Sequence, residues 1–128
     1  MSIRKRYISE VDTAGSYSKL QSLASADAGA SLNSYGVSLI NADSTAGGNV
    51  FVLGAPKTGG VHKYIAVTLG TTDSVVVTTD STTTTFWGST NAIVTFSTGA
   101  SEKYLNLVAA SATSWAVVGV STGVTFSA

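Results

Sequence analysis

Glu102–Val120 reads EKYLNLVAASATSWAVVGV: two apolar runs, Tyr104–Ala109 and Trp115–Val120, on either side of a short polar connector, Ser111-Ala112-Thr113-Ser114. Apolar runs of this length joined by a few turn-prone residues predict a β-hairpin. On its first strand Leu105, Leu107 and Ala109 share one face, while Tyr104, Asn106 and Val108 share the other. On its second strand Trp115 and Val117 lie on one side, Ala116 and Val118 on the other. Both faces are mostly apolar, so each requires a cover, from a second sheet or from a neighbouring chain. A solitary hairpin is marginal in water, so earlier strands must supply part of that cover. Trp115 is expected in the core, with Leu105, Leu107 and Val117 packed near it.

Upstream of the hairpin the texture is β from Tyr35 onward. Gly36–Ile40, Val50–Leu53, Val61–Leu69, Val75–Thr79 and Ala92–Phe96 are apolar or β-branched runs. Gly, Asn, Asp and Ser punctuate them, as in Asn41-Ala42-Asp43-Ser44 and Gly47-Gly48-Asn49. Pro56 ends the second run, since proline has no place in a central ladder. Val124–Phe126 adds a short last strand. Strands at this spacing predict an all-β domain over 35–128: an antiparallel β-sandwich or small barrel of about seven to nine short strands.

Residues 1–34 read differently. Tyr17, Leu20, Leu23 and Ala24 have helical spacing, and Asp12 or Thr13 could cap a turn, but Gly15 and Gly29 interrupt. The segment is expected to be an N-terminal arm with one short helix, lying against something rather than forming core. Its anchors are Ile3, Tyr7, Ile8, Val11, Tyr17 and Leu20, too many large apolar groups to leave in water. Arg4, Lys5 and Arg6 form its basic start.

Composition narrows the function classes. Charged residues are 11% of the chain, against about 25% in typical soluble domains. Seven basic and seven acidic residues cancel, so no global field recruits nucleic acid or an anionic membrane. A surface this poor in charge tends to associate, which hints at assembly. There is no cysteine, which excludes disulfides and thiolate metal sites. The basic N-terminus is not followed by the apolar core of a signal peptide, and no window is apolar over the length of a membrane helix. Synthesis in a cytoplasm without membrane insertion is the expectation.

The chemistry-bearing residues are few. His62 is the only histidine, two residues before Tyr64 in a predicted strand, and reads as a strand-end surface residue. Asp73 and Asp80 flank a strand, but aspartate is an ordinary turn residue and no calcium-loop spacing accompanies them. Gly54-Ala55-Pro56-Lys57-Thr58 lacks the glycine spacing of a phosphate loop. Glu10 and Glu102 are the only glutamates, and no Gly-x-Ser-x-Gly elbow occurs. No catalytic residue, cofactor site or metal site is assigned, and no enzymatic activity is expected. Among the aromatics, Phe86, Trp87 and Tyr104 are the candidates for contacts between subunits; Phe86 and Trp87 are adjacent, so on a strand one of them points outward.

One series of segments is familiar: Phe51-Val52-Leu53-Gly54-Ala55-Pro56-Lys57, Gly60-Val61-His62-Lys63-Tyr64-Ile65, Thr85-Phe86-Trp87-Gly88, Tyr104-Leu105-Asn106-Leu107-Val108 and Thr113-Ser114-Trp115-Ala116-Val117-Val118. It resembles the small β-rich virion proteins of tailed bacteriophages, in particular capsid decoration (cement) proteins and head-fibre modules. The resemblance implies a trimer of β domains on the outer surface of the head, made in the host cytoplasm. It implies an arm contacting the major capsid protein; the arm's own basic start and spaced apolar anchors make Ile3, Arg4, Lys5, Arg6, Tyr7, Ile8, Val11, Tyr17 and Leu20 the expected contact residues. The function expected is capsid stabilisation by bridging. The alternative is a tail-fibre or baseplate module binding a receptor or glycan, with Trp87 or Tyr64 stacking on sugar.

Overall fold

The computed structural model describes residues 20–43, 49–69, 74–80, 83–86, 91–97 and 102–128. In chain order the strands are β1 (Leu20–Ala24), β2 (Ser31–Leu32), β3 (Gly36–Ala42), β4 (Val50–Leu53), β5 (His62–Leu69) and β6 (Val75–Thr79). They are followed by β7 (Thr85–Phe86), β8 (Ile93–Phe96), β9 (Glu102–Ala109), β10 (Ser114–Val120) and β11 (Val124–Ser127). They form a six-stranded sheet, β1-β3-β5-β9-β10-β7, and a five-stranded sheet, β11-β8-β6-β4-β2. The architecture is the expected all-β sandwich, with eleven strands among the described residues rather than seven to nine.

The pairing corrects one expectation. The sandwich is mixed, not antiparallel throughout. β1, β3 and β5 pair in parallel in the six-stranded sheet, and β2, β4 and β6 pair in parallel in the other. Successive strands thus alternate between sheets, and the chain winds through three coils before it turns back. From there β5 pairs with β9, β9 with β10, β6 with β8 and β8 with β11, all antiparallel. Parallel and antiparallel strands share the same two-residue side-chain period, so the sequence pattern does not separate them.

The second correction concerns the arm. Leu20–Ala24 is a strand, and the only helical turn in this region is a 3₁₀ turn at Ser25–Asp27. Residues 20–32 therefore belong to both sheets of the β domain rather than to an appended arm. The spacing of Leu20, Leu23 and Ala24 fits a helix, but pairing with β3 along five residues outweighs a short segment's weak helical preference. Of the arm anchors only Leu20 is described; Ile3, Arg4, Lys5, Arg6, Tyr7, Ile8, Val11 and Tyr17 lie outside the described residues.

The hairpin forms as expected. Trp115 pairs with Ala109 and Val117 with Leu107, and a bulge between Val117 and Gly119 leaves Val118 out of register. Leu105, Leu107 and Trp115 are fully buried, and Val117 packs against the core they share with Ile65, Phe51, Phe86 and Phe96. Alternation explains the rest: in β5 Lys63, Ile65, Val67 and Leu69 point inward, while His62, Tyr64, Ala66 and Thr68 point outward. The β4–β5 loop is fixed to the hairpin: the Trp115 indole N–H donates to the Gly54 carbonyl at 3.2 Å and the Lys57 amide to that of Ala112 at 3.1 Å.

Candidate interaction face and a buried lysine network

One face of the hairpin, the expected core face, is covered by the second sheet. The other forms part of the outer face of the six-stranded sheet, which no described element covers. Register places Leu20, Val37, Tyr64 and Asn106 in one row across it, and Ser22, Leu39, Ala66 and Tyr104 in the next. Leu20 is 61% exposed, Leu39 40% and Tyr104 39%, high values for large apolar groups. Tyr64 and Tyr104 stack with centroids 5.9 Å apart and planes 5° from parallel. Small Ala66 sits between Leu39 and Tyr104, and the gap over it widens into a hollow of about 690 Å³ reaching Asn41, Thr68 and Glu102. On this face Glu102, beside Thr68, and His62, beside Val108, stand level with opposite ends of β5.

The subunit-contact candidates separate here. Tyr104 lies on this face. Phe86 does not: it pairs with Trp115 in parallel register and is fully buried in the core, so it cannot serve as a surface contact. Trp87 lies outside the described residues.

Beneath the same sheet lies a polar network centred on a buried lysine. Lys63 points inward and is fully buried. Its ammonium donates to Ser38 Oγ at 2.6 Å and to the Tyr35 carbonyl at 3.4 Å. Ser38 Oγ donates in turn to Gln21 Oε1 at 2.7 Å. Gln21 also accepts from the Asn33 amide at 3.0 Å and donates from Nε2 to the Ser31 carbonyl at 3.2 Å. The Gln21 side-chain amide thus bonds the backbone on either side of Leu32, in the manner of a neighbouring strand, and shields β2 at the edge of its sheet. Removing the charge from water pulls the Lys63 pKa down from 10.5 to about 8. The signal was present in the sequence, because Lys63 is in phase with Ile65, Val67 and Leu69.

A serine hydroxyl 2.6 Å from a lysine of lowered pKa has the composition of a nucleophile–base pair. Both residues are 0% exposed, which closes the pair to solvent. The network holds strands together. Gln21→Ala should therefore cost about 1–3 kcal/mol in chemical denaturation, the range for stranding buried polar groups; an unchanged midpoint would show that Gln21 holds nothing.

Among the described residues no group of three or more His, Cys, Asp and Glu side chains could hold a metal ion. Among them too, no helix is long and apolar enough to cross a membrane. Comparison with protein-family models, curated proteins and solved structures finds no match for this chain.

Proposed function

We propose that this chain is a non-enzymatic structural protein of a phage virion, a decoration protein that binds the outer surface of the head and stabilises it. The structural observation that best supports an assembling role is the outer face of the six-stranded sheet, while attachment to the head falls to the segment before Leu20. The face is broad, poor in charge and lined by half-exposed apolar rings and side chains, the composition of the centre of a protein–protein contact rather than of a solvated surface. The segments that resemble decoration proteins run through β4, β5, β7, β9 and β10, four of which belong to the six-stranded sheet. The basic and apolar mixture before Leu20 suits attachment to the major capsid protein, with the anchors burying area and the charges orienting the approach.

A truncation tests attachment. The cut must spare β1, because Leu23 packs on the core and Gln21 holds the edge of β2. Deleting residues 2–19 should leave the melting transition in place and abolish co-sedimentation with undecorated heads. A truncated protein that binds heads normally would move the attachment surface onto the β domain.

A second reading rests on the Tyr64–Tyr104 pair at the rim of the hollow, with Asn41, Thr68 and Glu102 near by, an arrangement suited to a sugar. In that reading the protein is a tail module that binds a receptor glycan. Binding on a glycan array that is lost in Tyr64→Ala, together with indifference to heads, would favour it.

A further inference from the structure

We infer that the outer face of the six-stranded sheet is a self-association face, on which a second copy packs with its strands antiparallel to the first. This goes beyond attachment to a head and stands on the geometry of the face alone. The axis it requires is a two-fold lying in the interface, perpendicular to the strands and level with Ile65. That operation sets residue 64 of one copy over residue 66 of the other, and residue 62 over residue 68.

Three features fit that one operation. The first is shape. Tyr64, a large outward side chain, would sit over the notch at Ala66, which is walled by Leu39 and Tyr104. The two-fold makes the same fit twice, as an isologous contact requires. Along β3 it sets Leu39 against Val37, apolar on apolar, because Ser38 is level with Ile65.

The second feature is charge. Glu102 and His62 lie at opposite ends of the face. Antiparallel stacking brings the Glu102 of one copy over Val108 of the other, one strand away from its His62. Parallel stacking about an axis along the strands between β5 and β9 would instead crowd the two Glu102 carboxylates together. Separation of the two carboxylates therefore favours the antiparallel arrangement.

The third is area. Five strands at about 4.8 Å and eight residues at about 3.3 Å give a face of roughly 24 by 26 Å, about 600 Å² in projection. Side-chain relief raises that toward the ~800 Å² each partner contributes to a standard interface.

Sedimentation equilibrium of the full chain over a concentration series tests the inference. The wild type should associate to twice the chain mass. Ala66→Arg fills the notch at an outward position; it should keep the far-UV spectrum and weaken association roughly tenfold or more, as loss of a central contact does. Leu39→Glu is the second probe if that variant misfolds. His62→Glu should weaken association at low salt, and adding Glu102→Lys should restore it. A folded monomer at all concentrations overturns the inference, including one whose face is shielded by its own residues 1–19. So does a dimer insensitive to both face variants. A trimer, or a double variant that fails to recover, overturns the two-fold antiparallel arrangement.

Discussion

Trp115→Ala is expected to cost about 3–5 kcal/mol of folding stability, the range for emptying a fully buried large aromatic site. The indole is 0% exposed, at the turn end of the hairpin opposite Ala109 and level with Phe86 on the neighbouring strand. Truncation opens a cavity that neither sheet closes without leaving its register. It also removes the indole donor from the Gly54 carbonyl, which ties the β4–β5 loop to the hairpin. Against a total of about 5–15 kcal/mol this is a large share. Denaturant unfolding of wild type and variant measures it. A loss below about 1 kcal/mol, the level of ordinary surface changes, would contradict the packing described.

The second large effect has the opposite sign. Lys63→Met should stabilise the protein at neutral pH, by about 1–3 kcal/mol, because it replaces a buried charge with an apolar chain of similar length. Ser38 Oγ keeps Gln21 as acceptor, so the main uncompensated loss is the Tyr35 carbonyl's partner. The pH dependence identifies the cause. With a folded pKa of about 8 against 10.5, the unfolded chain still holds its proton over that window while the folded chain has released it. The Lys63 contribution to stability therefore rises as pH increases from about 8 toward 10.5, by about 3 kcal/mol, and is level below. The difference between wild type and Lys63→Met should shrink across that window. A difference that stays constant from pH 7 to pH 10 would mean that Lys63 carries no penalty in the fold.

Much of the fold was legible because it depends on a two-residue alternation. Val50–Leu53 and Val75–Thr79 form strands with the bounds the sequence suggested, and the hairpin faces divide as Leu105, Leu107 and Ala109 against Tyr104, Asn106 and Val108. What the alternation does not encode is which strand lies alongside. The alternation of β1 to β6 between sheets arises from long-range pairing, and each strand would look the same in a meander. The arm misled for a related reason. Leu20 and Leu23, three apart, share a helix face but point to opposite sides of a strand, and here Leu20 faces out while Leu23 packs inward.

The candidate site was legible only in part. Tyr104, a contact candidate on sequence grounds, lies on the open face, whereas Phe86, a candidate through its neighbour Trp87, is core. Adjacent aromatics on a strand point opposite ways, but the sequence does not say which one points in. Leu39 and Ala66 drew no notice, since a notch depends on neighbours from three strands meeting in register. Lys63 was in phase with the core yet passed over, because lysine is almost never fully buried.

The proposed function is docking on a virion through the segment before Leu20, which the β domain carries. Cryo-EM of undecorated heads incubated with the full chain tests it most directly. The expected result is new density on the outer capsid surface that fits the two-sheet sandwich, with residues before Leu20 against the major capsid protein. Heads that remain bare at saturating protein would contradict it.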